Sequence, residues 1–262
     1  MKTPLTLALY QCTPGPLDVA GNLLRLDLAA QQASMGGADV LVCPEMFLTG
    51  YHIGPAAVLQ LAQAAGGAWA QAVAAIARRY TLAIVYGYPE RGEQGAVFNA
   101  AQWINASGEA CLHYRKTHLF GALDHTQFSA GHPAATWVEL KGWRVSLLIC
   151  YDVEFPENTR RLALAGADLI VVPTANMAEF DFVATAVVPV RAYENQVYVA
   201  YANYVGHEGD LHYGGLSTVA APDGRVLSQA GRDETLVFAT LERDRLDAAR
   251  VHSTHLTDLK KR

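Results

Sequence analysis

The chain has 262 residues, 51% of them hydrophobic, and a net charge of −5 with no block of like charge. That length holds a sizeable core without disulfide or metal staples, and the charge argues against a nucleic-acid partner. No run reaches the ~20 apolar residues of a membrane helix, so no membrane partner is expected.

In chain order, Leu5–Tyr10 reads as a first core strand, Leu23–Met35 as a helix and Val40–Cys43 as a second strand. The Ala- and Gln-rich stretch from Ala56 to Ala77 reads as two helices broken at Gly66-Gly67, the second continuing as Trp69–Tyr80. Strands follow at Leu82–Tyr88, Ala100–Ile104 and Val145–Cys150, with a helix at Pro156–Ala165. The near-continuous apolar run Leu169–Val172 implies a sheet covered on both faces. A helix at Phe182–Asn195 and strands at Val197–Asn203 and Ser217–Ala221 come next, with a turn at Pro222-Asp223-Gly224. The pattern predicts one layered α/β domain over 1–262, with mixed sheets, a core at about 5–241 and a polar tail, 242–262, packed at the periphery. No solenoid repeat or low-complexity linker interrupts it.

Four cysteines (Cys12, Cys43, Cys111 and Cys150) are scattered without a CxxC, which suits reduced thiols in the cytoplasm. Nine histidines show no HxH or HExxH spacing, and no glycine-rich phosphate loop occurs, so neither a metal nor a cofactor is expected.

Three strand ends carry chemistry. Glu45 follows Val40–Cys43 and Pro44 among apolar neighbours, where desolvation raises a carboxyl pKa toward that of a general base; a helix cap or an arginine partner is the alternative. Lys116 ends a short strand beside Arg115, a pair that taken alone reads as solvated. Cys150 closes the apolar run Leu147-Leu148-Ile149 just before a helix, where a partly exposed thiol would gain thiolate character from helix-terminal N–H groups; taken alone, a small core residue is the alternative. Strand C-termini border the ligand crevice in such sheets, so the three together suggest a nucleophile, a proton carrier and an oxyanion-stabilising cation.

The strings Cys43–Tyr51, Tyr114–Phe120 and Ile149–Glu157, in that order, resemble the nitrilase, or carbon–nitrogen hydrolase, superfamily and its amidase branch. Val172–Met177 and Arg191–Gln196 extend the resemblance over about residues 5–241. It implies a four-layer α-β-β-α sandwich that pairs through its outer helices into a homodimer or higher homo-oligomer. It also implies a catalytic triad of Glu45, Lys116 and Cys150, acting on a small-molecule amide through a thioester to release carboxylate and ammonia.

The family's second carboxylate falls on Asp124, one methylene shorter than the usual glutamate and ahead of Phe128-Ser129-Ala130-Gly131, where Ala130 stands in place of proline. Asp124 could position Lys116 or substrate, or form a surface ion pair. Tyr51, Phe128, Asn176 and the backbone N–H of Tyr151 are the substrate-binding candidates. Asp124, Glu179 and Asp181 are the carboxylates that could meet a substrate ammonium, whereas Glu154, Glu157, Arg160, Arg161, Arg191 and Glu194 read as structural or interfacial. Nitrile or N-carbamoyl hydrolysis on the same scaffold, a non-catalytic binding protein, and a redox sensor pairing Cys150 with Cys43 are the competing readings.

Overall fold

The computed structural model describes residues 3–259 and contains two six-stranded mixed sheets. The first sheet runs, in spatial order, Thr235–Leu241, Leu5–Gln11, Val40–Val42, Ala83–Arg91, Val97–Ile104 and Ala110–Arg115. The second runs Val226–Gln229, Thr218–Ala220, Tyr198–Ala202, Leu169–Pro173, Trp143–Leu147 and Val138–Leu140. Each has a parallel centre: Leu7 pairs with Val40 and Val40 with Ala83 in the first, Val145 with Leu169 and Leu169 with Tyr198 in the second. Antiparallel strands flank both centres.

Side-chain alternation explains why the sheets stack. Leu5, Leu7, Leu9, Val40, Val42, Ala83 and Val85 pack in one core with Val145, Leu147, Leu169 and Val171 of the second sheet. Their sequence neighbours Ala8, Leu41 and Ile84 face the opposite way, into a core shared with Leu26, Ala30, Val73 and Ala77 of the helices Val19–Met35 and Ala68–Tyr80. The helices Pro156–Leu164 and Val188–Asn195 cover the other side, giving the α-β-β-α sandwich. The described residues include no helix long and apolar enough to cross a membrane.

The helices broken at the glycine pair are present as Pro55–Leu61 and Ala68–Tyr80. Between Phe182 and Asn195 the chain makes one π-helical turn, Val183–Val187, before its α-helix. The stretch after Leu241 forms the helix Arg243–His252, which buries Leu246 and docks Arg243 and Arg250 on the buried carboxylate of Asp168, each at 2.8 Å.

One correction bears on chemistry. The strand before Cys150 stops at Leu147, and Leu148 and Ile149 turn away before the short 3-10 helix Cys150–Glu154 begins. Cys150 therefore lies beyond the strand end, in a left-handed backbone conformation at φ 45°.

Candidate active site

The C-terminal ends of Val40–Val42, Ala110–Arg115, Trp143–Leu147 and Leu169–Pro173 converge at the seam between the sheets. Glu45 leaves its strand and donates its N–H to the carbonyl of Thr174 on the other sheet, at 3.2 Å. Its loop can enter because residue 87 is glycine: a Cβ there would lie 2.3 Å from the backbone nitrogen of Met46. Gly87→Ala should therefore displace the Glu45 loop, costing about 1–3 kcal/mol of stability and most of the activity, measured by thermal melting and ammonia release.

The Glu45 side chain is fully buried. Its Oε1 accepts from Lys116 Nζ and from Asn99 Nδ2, each at 2.7 Å, while among the described residues no nitrogen or oxygen donor hydrogen-bonds to Oε2. Burial is the main force raising the Glu45 pKa; Lys116 opposes it and Asp124 adds to it. The carboxyl is thus tuned upward from the ordinary range, as a base that must later act as an acid requires.

Lys116 is equally buried and lies 2.7 Å from both Glu45 Oε1 and Asp124 Oδ2. Its backbone is fixed on both sides: its N–H donates to Asn99 O and its carbonyl accepts from Gly131 N, both at 2.8 Å. Gly131 must be small, since a Cβ would sit 2.5 Å from the Arg115 carbonyl oxygen. Burial alone would lower the Lys116 pKa, but Glu45, Tyr51 and Asp124 outweigh it and hold the ammonium protonated. Asp124 is buried and also accepts from Phe120 N at 2.8 Å, so it positions Lys116 rather than forming a surface ion pair. Asp124→Asn keeps the shape and removes the charge; kcat should fall roughly 10- to 100-fold through misplacement of the lysine, with the smaller change in KM.

Cys150 is 9% exposed, and burial pushes its thiol pKa well up, with Glu45 adding to the shift. The expected thiolate is thus not favoured: the left-handed turn exposes little sulfur, and desolvation outweighs the Lys116 charge, the Thr174 hydroxyl and the Ala175 N–H. The thiol in turn interacts with the Glu45 carboxylate. Above it lies a narrow cleft with about 10 Å³ of internal space, whose walls include Tyr51, Phe120, Tyr151, Glu154 and Asn176.

Two buried carboxylates that the sequence reading passed over hold this arrangement. Asp152 accepts from the backbone N–H of Ile149 at 3.3 Å and of His118 at 2.9 Å, from the Thr117 hydroxyl at 2.7 Å and from the Tyr114 hydroxyl at 3.0 Å. It ties the loop after Lys116 to the loop bearing Cys150. His118 serves this clamp, contacting Asp152 and Asn158 through Nδ1 and stacking on Phe155. Glu208, in the hairpin Val205–Glu208/Leu211–Gly214, accepts from Tyr51 N at 2.9 Å and His52 N at 3.0 Å, fixing one wall of the cleft. Apart from the Ile149 N–H, the partners named come from distant segments, so the local sequence marks neither residue.

The other candidates divide. Tyr51 and Tyr151 line the cleft, and the Lys116 Nζ lies 5.5 Å from the Tyr51 ring centroid. Asn176 lines it too, but its amide nitrogen is committed to the Phe180 carbonyl at 3.0 Å. Phe128 does not line it: the residue caps the helix Gly121–Gln127 and is buried in the core beneath the first sheet's helices. Asp181 is held by Arg232, and Glu179 belongs to a separate depression with Asp210 and His212. Glu154, read from sequence as structural, lines the cleft together with Cys150. Arg191 pairs with Glu194 at 3.0 Å, as helix spacing allows. Cys43 and Cys150 occupy different cores, and neither forms a disulfide.

The family model for carbon-nitrogen hydrolases matches residues 6–251. The chain belongs to that family. A Pseudomonas protegens protein described as "hydrolase in pqqF 5'region" is 56% identical over 97% of this chain and 88% of its own length. An (R)-stereoselective amidase of a Pseudomonas species is 39% identical over 92% of this chain and 86% of its own. Among solved structures, the amidase of Nesterenkonia sp. AN1 superposes with a TM-score of 0.85 at 35% identity, covering 95% of this chain and 98% of that one. A glutamate-to-glutamine variant of that amidase carries the Michael adduct of acrylamide on its active-site cysteine. This carbon–nitrogen hydrolase thus has the nitrilase fold and amidases among its relatives.

Proposed function

We propose that this carbon–nitrogen hydrolase cleaves a small aliphatic primary amide to a carboxylate and ammonia, with Cys150 as nucleophile, Glu45 as general base and acid, and Lys116 as oxyanion stabiliser. The observation that carries the reading is Lys116, wholly buried between Glu45 and Asp124 at 2.7 Å each and 5.5 Å from the ring centroid of Tyr51, which lines the cleft together with Cys150. The amidase relatives support it.

Because the thiol is neutral at rest, its proton must leave as sulfur attacks the carbonyl carbon. Glu45 takes that proton. The carbonyl electrons move onto oxygen, where the Lys116 ammonium and the Tyr151 N–H hold the charge; losing one such donor typically costs about 3–4 kcal/mol of transition-state stabilisation. The oxyanion collapses, the C–N bond breaks, and Glu45 gives its proton to the departing nitrogen. Ammonia leaves a thioester on Cys150. Glu45 then draws a proton from water as the water oxygen attacks the thioester, and returns it to the leaving sulfur.

Within this class the substrate we favour is an ω-amino amide such as 5-aminopentanamide, since Leu41–Tyr51, Ala83–Gly92 and Val172–Met177 resemble the corresponding strings of 5-aminopentanamidases. Exposed Leu164, Phe182, Val190 and Tyr193 on the outer face of the second sheet's helices fit a homodimer, which light scattering would register as twice the chain mass. Four unpaired cysteines fit a reducing, cytoplasmic setting.

Ammonia release from 5-aminopentanamide, the matching nitrile and an N-carbamoyl amine tests the reaction class. The amide should turn over fastest. Release from the nitrile or the carbamoyl compound alone would overturn the assignment.

A further inference from the structure

We propose that the Glu154 carboxylate is the ammonium-recognition group of the cleft, so that this enzyme selects amides whose far end is positively charged over neutral and ω-carboxylate amides. The inference rests on the amidase reading and adds the determinant of substrate charge.

Glu154 closes the 3-10 helix that Cys150 opens. Cys150 and Glu154 line the same cleft, so an acyl group on the sulfur extends into the space that the Glu154 carboxylate borders. The carboxylate is half-buried, and among the described residues no basic side chain forms an ion pair with it.

Arg191 is the nearest competitor. Its Nη2 donates to the backbone carbonyl of Glu154 at 2.6 Å, its Nε to the Val153 carbonyl at 2.9 Å, and its Nη1 to Glu194 at 3.0 Å. The guanidinium is thus spent on the backbone and on Glu194, and its charge only moderates a carboxyl whose pKa burial raises. The single positive charge of Lys116 is taken up by two carboxylates, Glu45 and Asp124.

Two aromatic walls of the cleft, Phe120 and Tyr151, suit a cation as well, and Phe155 supports Tyr151 from behind the lining. Phe120 and Tyr151 meet edge to face at 5.3 Å, and Tyr151 meets Phe155 in the same way at 4.9 Å. Aromatic faces beside an unpartnered carboxylate attract an ammonium and offer nothing to a second carboxylate.

The test compares 5-aminopentanamide with hexanamide, in which a methyl replaces the ammonium, and with glutaramate, which ends in a carboxylate. In the wild type, kcat/KM should fall in that order. Glu154→Gln should lower the ratio of 5-aminopentanamide to hexanamide turnover by about 10- to 100-fold, the worth of one charge-assisted hydrogen bond, and Glu154→Asp should lower it less. Glu154→Lys should shift preference toward glutaramate. Hexanamide turnover shows in the same assay that each variant is folded. An unchanged ratio in Glu154→Gln, or a wild type that favours hexanamide or glutaramate, overturns the inference alone. Absence of turnover on all three amides overturns the amidase reading and this inference with it.

Discussion

Replacing Cys150 with Ala should abolish ammonia release, by about 10⁴-fold or more, and leave the protein folded. The sulfur is small and the site tolerates its loss: a cavity of that size costs about 1 kcal/mol. The comparison that matters is between turnover and melting temperature in the same preparation. Mass spectrometry of the wild type quenched during turnover should show the acyl adduct on Cys150, and the variant should show none. Undiminished ammonia release by folded Cys150→Ala would remove the nucleophile from the mechanism.

Glu45→Gln should be nearly as damaging, with a loss of about 10²- to 10⁴-fold in kcat/KM, the usual reach of general acid–base catalysis. Glutamine preserves the volume and an oxygen acceptor for Lys116 and Asn99. It removes the group that takes a proton from a thiol whose pKa is held well above its ordinary value. The pH dependence gives the sign. Below its raised pKa Glu45 already holds a proton and cannot accept another, so kcat/KM of the wild type should rise with pH on an acid limb lying above the ordinary carboxylate range. That limb should vanish in Glu45→Gln. Alkylation of Cys150 by iodoacetamide should slow in parallel; unchanged alkylation and an unchanged acid limb would assign the proton to another group. Because the three groups interact, the limb reports the site as a unit.

The sequence was informative where chemistry coincides with a local signal. Glu45 follows an apolar strand of the parallel centre, where sheet geometry puts a ligand crevice; Lys116 ends a half-exposed antiparallel edge strand, and only the resemblance of its string to the family singled it out. Cys150 was legible as a residue and misleading as an environment: the strand stops early, and the intervening turn buries the thiol it was expected to expose. The strand Thr235–Leu241 escaped notice because its exposed and buried residues alternate on a sheet edge, and its partner is Leu5–Gln11 at the other end of the chain. Asn99, Asp152 and Glu208 were invisible for a related reason. A buried polar residue is recognised by what it satisfies, and what these satisfy lies on other segments. Glu154 was read by its place at a helix start, when the direction of the preceding turn decides what it faces.

The seam between the sheets has one more consequence. Glu45, Asn99, Lys116 and Asp124 come from the first sheet and its loops, while Cys150, Tyr151, Glu154 and Thr174 come from the second. In the proposed mechanism proton handling belongs to one half of the molecule and the nucleophile to the other, while both wall the cleft, Tyr51 and Phe120 from the first and Tyr151, Glu154 and Asn176 from the second. Neither half is an enzyme by itself, and a relative slip of about 1 Å is enough to cost two orders of magnitude in rate. The same partition lets substitutions at Tyr151, Glu154 or Asn176 reshape the cleft while the carboxylates and lysine opposite stay in place.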